Sequence, residues 1–177
     1  MNQTILLSIF GFFQATTLGT FFAIFLASWL PFVLAGFLFL YEWSMRRGET
    51  LRNILYANVI LLTPATIALA LAEFIKFITP SPRPFMVFDI TPLISVSEKM
   101  GSFPSSHAAF FAALGLSIYF SSHRLGKWYV LAAFLVALGR VAVGVHFPID
   151  VIVGLSIGFL TSFVFEYFIK FMKNVLS

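Results

Sequence analysis

Five apolar stretches, each close to the length of a membrane crossing, constrain this chain more than any other feature of its sequence. A transmembrane helix needs about 20 predominantly apolar residues. The stretches cover residues 20–41, 50–74, 105–121, 127–143 and 149–171. The third and fourth stretches are short for a full crossing. Helix tilt, bilayer thinning or burial inside a bundle can accommodate such short spans. The pattern predicts an all-α fold, a polytopic membrane helix bundle with about five transmembrane helices.

The overall composition supports a membrane environment. The chain is 60% hydrophobic and 10% charged, whereas a soluble domain is about half apolar and about a quarter charged. One buried core cannot absorb this surplus, so we expect most of the surface to face lipid. The length suits one domain, residues 1–177.

The residues before the first stretch form a separate apolar segment. Residues 4–13 carry no charge and place apolar side chains, Ile5 and Ile9 among them, at helical spacing. Because this segment is too short to span, we predict an interfacial helix. A sixth crossing within residues 4–41 is the alternative. The first four residues lack a basic side chain, so no cleaved signal peptide is expected.

The distribution of Lys and Arg predicts the orientation. With an odd number of spans, seven of these eleven residues fall on one side: Arg46, Arg47, Arg52, Arg124, Lys127, Lys170 and Lys173. The positive-inside rule makes that side cytoplasmic. We therefore expect a multi-pass protein of the cytoplasmic membrane, and the outward side receives the other four: Lys76, Arg83, Lys99 and Arg140.

Charge and cysteine content also limit the partners. The net charge of +4 forms no basic stripe on a soluble face, so we expect no nucleic-acid partner, and the sequence indicates no protein partner. The absence of cysteine excludes disulfides and thiolate metal sites.

The turn before the last span contains a histidine and a carboxylate at close spacing. Pro148 suits the first turn of a helix, so His146 precedes the helix and Asp150 lies in its first turn. A carboxylate there can hold one imidazole nitrogen and leave the other free to attack. The alternative is that Asp150 complements the helix dipole and His146 is an interfacial side chain.

A serine-rich segment begins the third span. Ser102, Pro104, Ser105, Ser106 and His107 combine a helix start with hydroxyls and an imidazole. Free N–H groups at a helix N-terminus favour an anion, and His107 could give or take a proton. Ordinary serine capping is the alternative and would account for Ser102.

Three outward cations complete the set. Lys76, Arg83 and Arg140 converging beside a helix N-terminus would neutralise a phosphate, although snorkelling at the bilayer edge is the alternative for each. Two histidines, a carboxylate and three cations suffice for phosphoryl transfer through a phosphohistidine. The sequence contains no carboxylate cluster for magnesium and no zinc-type spacing, so we expect neither a metal nor another cofactor.

These motifs resemble those of the type 2 phosphatidic acid phosphatase superfamily. The family pattern is Lys, six residues, Arg-Pro; then Pro-Ser-Gly-His; then Ser-Arg, five residues, His, three residues, Asp. Residues 76–84 match it, residues 104–107 match it except for Ser106 in place of glycine, and residues 139–150 match it except for Gly139 in place of serine. The resemblance covers residues 50–172.

The resemblance implies a role for each matching residue. His146 would be the nucleophile, Asp150 its orienting partner and His107 the general acid. The other matching residues would bind phosphate, together with nearby main-chain N–H groups. These residues are Lys76, Arg83, Ser105, Ser106 and Arg140. The loss of the family's serine at Gly139 would remove a hydroxyl from the phosphate site.

Within the superfamily, residues 103–107 and 143–150 look most like bacterial undecaprenyl pyrophosphate phosphatases of the bacitracin-resistance type. This implies hydrolysis of a lipid pyrophosphate on the extracytoplasmic face. A phosphatidate or phosphatidylglycerophosphate phosphatase is the near alternative. The alternative from another class is a transporter or structural membrane protein. An ionisable residue within a span, here Glu73, can mark a translocation path. Glu73 lies one turn before Lys76, however, and pairing with that lysine would also explain it.

Overall fold

Helices account for the regular structure of residues 2–97 and 101–176, the part of the chain that the computed structural model describes. No strand occurs within those residues, which confirms the all-α prediction. The helices are α1 (Asn2–Gln14), α2 (Thr17–Met45), α3 (Leu51–Ile78), α4 (Pro84–Val87), α5 (Ser106–Ser121), α6 (His123–Ala142) and α7 (Pro148–Leu176). Lys99, predicted to face outward, lies outside the described residues.

Among the described residues, four helices are long and apolar enough to cross a membrane: α2, α3, α6 and α7. The remaining predicted span, residues 105–121, corresponds to α5, which is apolar but has only 16 residues. At about 1.5 Å per residue it extends about 24 Å, short of the roughly 30 Å hydrocarbon core. The structure thus agrees with a polytopic bundle whose fifth helix needs burial or bilayer thinning.

The N-terminal region contains one helix of spanning length. Helix α1 has 13 residues and is separated from α2 by a turn, whereas α2 runs for 29 residues. Thr16 caps α2, since its Oγ1 accepts a hydrogen bond from the Gly19 N–H at 3.0 Å. A sixth crossing is therefore absent from residues 2–45, while the interfacial position of α1 stays a prediction.

Small residues let α5 and α7 pack closely side by side. Gly158 faces α5, and a Cβ added there would lie 2.2 Å from the carbonyl oxygen of Ala109. One turn further along α7, Ser162 bonds to Ser117 Oγ at 2.9 Å and to the Ala113 carbonyl at 2.7 Å. Small side chains of this kind allow close helix approach where lipid removes the hydrophobic driving force.

Helix direction brings four helix ends together. Helices α5 and α7 run in parallel, because Gly154 lies against Ser105 and Lys170 lies over the Phe120 ring. Their N-termini therefore meet the C-termini of α3 and α6, which run the opposite way. Helix α1 packs on this same end, where Asn2 Oδ1 accepts a hydrogen bond from the Ile149 N–H at 3.2 Å. We call this end of the bundle the site end.

Candidate active site

All eight predicted site residues lie at the site end. They come from the last turns of α3 and α6, the loop before α4, and the starts of α5 and α7: Lys76, Arg83, Ser105, Ser106, His107, Arg140, His146 and Asp150. Direct contacts connect the elements. The Arg83 Nη1 donates to the Val145 carbonyl at 3.1 Å, and the Ser105 N–H donates to the Asp150 carbonyl at 3.0 Å. The catalytic roles of these residues stay predictions.

His146 and Asp150 form a buried pair in the turn between α6 and α7. Pro148 begins α7 as predicted, and each of the two residues is 2% exposed. Their Nδ1 and Oδ2 atoms are 3.5 Å apart, at the outer limit of a hydrogen bond. The same Oδ2 accepts the Phe147 N–H at 2.8 Å, so the carboxylate is held in place by the backbone of the turn.

Ser102 bridges this pair. Its Oγ donates to Asp150 Oδ2 and lies 3.4 Å from His146 Nδ1. In the tautomer that carries the proton on Nδ1, the imidazole donates toward Ser102 and Asp150, and the Nε2 lone pair remains free. The arrangement therefore favours the tautomer that a nucleophilic histidine needs.

Burial also sets the charge of His146. It lowers the pKa of the imidazole to about 4. The hydrogen bond to Asp150 raises this pKa, whereas the positive charges of Arg140 and Arg83 lower it. The imidazole is therefore neutral near pH 7, and the neutral form carries the lone pair that can attack phosphorus.

A second polar cluster lies between the last turn of α3 and the start of α5 and is formed by Glu73, Lys76 and Ser106. Lys76 Nζ donates to Glu73 Oε1 at 2.8 Å and to Ser106 Oγ at 2.6 Å, and Ser106 Oγ in turn donates to Glu73. Glu73 thus pairs with Lys76, which was one of the two interpretations of Glu73 from the sequence. The hydroxyl of Ser106, predicted to bind phosphate, is here occupied in orienting the lysine.

Two buried polar atoms of the site lack a hydrogen-bond partner among the described residues. They are the Ser105 Oγ and the Arg140 Nε, and both side chains are buried. A buried donor without a partner costs about 1–3 kcal/mol. Two such groups near the start of α5 are suited to an anion that accepts from both.

His107 completes the arrangement from the first turn of α5. Its side chain is exposed, unlike that of His146, and the charges of Arg140, Lys76 and Arg83 all act on it. An accessible imidazole beside these cations is positioned to exchange a proton with a bound phosphate ester.

Two sequence interpretations need correction. Ser102 does not cap α5: the N-cap position belongs to Ser105, and Ser102 contacts Asp150 across 48 positions of the chain. This contact is tertiary, so no local spacing could have revealed it. The resemblance implied that Gly139 removes a hydroxyl from the phosphate site, whereas the missing side chain of Gly139 faces α2. A Cβ there would lie 2.7 Å from the backbone nitrogen of Ala27.

Within residues 2–97 and 101–176, no group of three His, Asp or Glu side chains gathers where it could hold a metal ion. The expectation that the reaction needs no metal stays a prediction.

Sequence comparison connects this site to known proteins. The sequence model of the PAP2 superfamily matches residues 54–173, a range that contains all eight predicted site residues. Undecaprenyl-diphosphatase BcrC of Bacillus subtilis (strain 168) is 25% identical over 131 residues, which cover 74% of this chain and 65% of that protein. An undecaprenyl-diphosphatase of Sulfolobus acidocaldarius is 33% identical over 110 residues, covering 60% and 52%.

A further relative is named as a transport protein and not as a phosphatase. The bacitracin transport permease protein BcrC of Bacillus licheniformis is 29% identical over 142 residues, which cover 80% of this chain and 68% of that protein. The chain therefore spans between 52% and 68% of the length of these three relatives.

Structural comparison gives a similar fold. The crystal structure of Aquifex aeolicus LpxE matches with a TM-score of 0.60 and covers 93% of both chains. The sequence identity is 22%, so this likeness concerns the arrangement of the helices alone.

Proposed function

The chain belongs to the PAP2 superfamily, and on this premise we propose that it is a membrane phosphatase that hydrolyses undecaprenyl pyrophosphate. The reaction cleaves the phosphoric anhydride and leaves the lipid monophosphate and inorganic phosphate. No metal takes part in the proposed reaction, since the cations of the site take the place of a metal clamp.

The observation that carries the proposal is the environment of His146. A neutral, buried imidazole has its Nδ1 directed to Ser102 and Asp150. It lies in the same site as two buried polar atoms without partners among the described residues, on Ser105 and Arg140. A nucleophile beside two buried donors of this kind suits attack on a phosphate group.

The proposed reaction has two steps. First, His146 Nε2 forms a bond to the terminal phosphorus while the bond from phosphorus to the bridging oxygen breaks, and His107 donates a proton to the departing lipid monophosphate. Then His107 takes a proton from water, whose oxygen bonds to phosphorus as the Nε2–phosphorus bond breaks. Phosphate leaves, and both histidines return to their starting states. Lys76, Arg83 and Arg140 stabilise charge on the transferring group.

The choice of lipid rests on the names of the relatives. Two of the three are named as undecaprenyl-diphosphatases, and the superfamily motifs contact the phosphate and not the lipid tail. A phosphatidate or phosphatidylglycerophosphate phosphatase is the neighbouring candidate. The name of the third relative favours a transporter as the candidate from another class.

A substrate panel tests the proposal. The purified protein in detergent should release phosphate fastest from undecaprenyl pyrophosphate, and His146→Ala should abolish the release. His123→Ala is the matched control. This third histidine packs against the Tyr119 ring at the opposite end of the bundle, so its loss should leave turnover unchanged. Faster turnover of the glycerophospholipids would replace the proposed substrate, and absence of turnover with every lipid would favour the transporter.

The proposed location is the cytoplasmic membrane, with the site end facing outward. Since the chain has no cysteine, a single introduced cysteine reports the accessibility of its own position only. A cysteine replacing Val87, which is exposed in α4, should react with an impermeant thiol reagent in intact cells. A cysteine replacing Arg47 should not react, and the reverse pattern would invert the proposed topology.

A further inference from the structure

A groove separates α2 from α3, although the two helices are consecutive in the chain. No Cα atom of one lies within 8 Å of a Cα atom of the other. The space between them is a cavity of about 590 Å³, which α5 closes on its inner side. Ligand pockets have volumes of about 300–1,000 Å³, so the groove is large enough for a lipid chain. In a membrane, lipid is the medium that would fill it.

The walls of the groove are apolar along its length. Helices α2, α3 and α5 contribute large hydrophobic side chains: Leu38, Phe39, Leu62, Phe110, Phe111 and Leu114. None of the eight predicted site residues lines the groove. Its charged residues gather instead where α2 ends and α3 begins, at the end of the bundle opposite the site.

Two carboxylates and two guanidinium groups line this mouth, so the charges of its lining balance. Arg46 forms ion pairs with both Glu42 and Glu49, the second at 3.3 Å, so both carboxylates have Arg46 as their partner. Arg47 also lines the groove and is exposed, and it has no ion pair among the described residues. Arg52, in the first turn of α3, is also exposed and brings the net charge around the mouth to about +1.

We propose that this groove binds an anionic phospholipid of the leaflet opposite the active site. The lipid phosphate contacts the Arg47 guanidinium, whose planar fork matches phosphate oxygens. One acyl chain lies between α2 and α3 against Phe39 and Leu62. Basic pockets between transmembrane helices commonly bind anionic headgroups in this way.

The position of the mouth distinguishes this lipid from the substrate. A substrate whose phosphate lies beside Lys76 and His146 would have its polar end at the site end. The groove has its polar end on the opposite side, so an amphiphile bound there points the other way. The inference therefore does not depend on the proposed function.

Tryptophan fluorescence provides a direct test, because Trp43 lines the groove. In one variant, Trp29→Phe and Trp128→Phe leave Trp43 as the single tryptophan. The matched control keeps Trp128 through Trp29→Phe and Trp43→Phe. Trp128 lies near the start of α6, at the same end of the bundle and outside the groove, and it is 61% exposed against 64% for Trp43. Both variants are reconstituted in phosphatidylcholine vesicles that contain lipid brominated on its acyl chains.

Brominated phosphatidylglycerol should quench Trp43 at a severalfold lower mole fraction than brominated phosphatidylcholine does. Trp128 should show no preference between the two lipids. Arg47→Gln in the Trp43 variant should remove the preference, and Arg47→Lys should keep part of it. Equal quenching of Trp43 by both lipids would mean non-specific lipid contact. Reversal of the quenching by a polyprenyl phosphate would mean that the groove holds the substrate tail. Either outcome overturns the proposal, as would a preference that survives Arg47→Gln.

Discussion

Replacing Ser102 by alanine removes the hydroxyl between the proposed nucleophile and its carboxylate. Ser102 is completely buried, donates to Asp150 Oδ2 and lies 3.4 Å from His146 Nδ1. In Ser102→Ala, the carboxylate oxygen keeps the Phe147 N–H at 2.8 Å, and the imidazole keeps a 3.5 Å contact to Asp150. The imidazole then has more freedom to rotate, and the positive charge that develops on it is stabilised less.

The expected loss follows from the strength of the missing bond. A hydrogen bond to a charged group contributes about 1.5–3 kcal/mol, and each 1.36 kcal/mol changes a rate about tenfold. If the bond matters mainly in the transition state, kcat should fall by about 10- to 150-fold. The KM should change little, because Ser102 contacts the His–Asp pair and not the cations of the site.

Phosphate release measured over a range of substrate concentrations separates kcat from KM. The control is Ser117→Ala, which removes a buried serine hydroxyl of α5 that bonds to Ser162 at 2.9 Å, away from the site. A double variant with Asp150→Asn adds a second readout: if Ser102 acts through Asp150, the two losses should be far from additive. An unchanged kcat in Ser102→Ala, or additive losses in the double variant, would refute this reasoning.

Two further predictions follow from the charge and packing of the site. Nitrogen-15 NMR of the histidines should place the pKa of His146 near 4. Arg140→Gln removes a positive charge that lowers this pKa, so the pKa should rise toward 6.5 and the acidic limb of kcat/KM should move to higher pH; a downward shift would contradict the electrostatic argument. Gly139→Ser should lower the melting temperature in detergent by several degrees, because its side chain would meet the Ala27 backbone of α2 at 2.7 Å. Unchanged stability together with a gain of activity would instead place that hydroxyl in the phosphate site.

The membrane helices were accessible to sequence reasoning because lipid imposes a simple length and composition requirement. The predicted spans 127–143 and 149–171 coincide with most of α6 and α7, and Pro148 begins α7 as expected. The gathering of the site residues was also predictable. Successive spans alternate in direction, so motifs at the end of one span and the start of the next meet at one face.

The finer structure of the site depended on tertiary contacts that no local pattern contains. The hydroxyl of Ser102, in the loop before α5, donates to Asp150 in α7, and the hydroxyl of Ser106 lies between Lys76 and Glu73. The π-helical turn Phe25–Trp29 in α2 packs against Gly139. It occurs in a uniformly apolar stretch where hydrophobic periodicity carries no information about helix type.

The central claim is that His146 takes the phosphoryl group from the lipid, and trapping that intermediate tests it most directly. The purified protein is mixed with substrate labelled in the terminal phosphate, quenched in alkali after a fraction of a turnover, digested and analysed by mass spectrometry. The account predicts a phosphorylated peptide with the modification on His146, lost on mild acid treatment, present in His123→Ala and absent in His146→Ala. A phosphoryl group on another residue, or full turnover by His146→Ala, would contradict it.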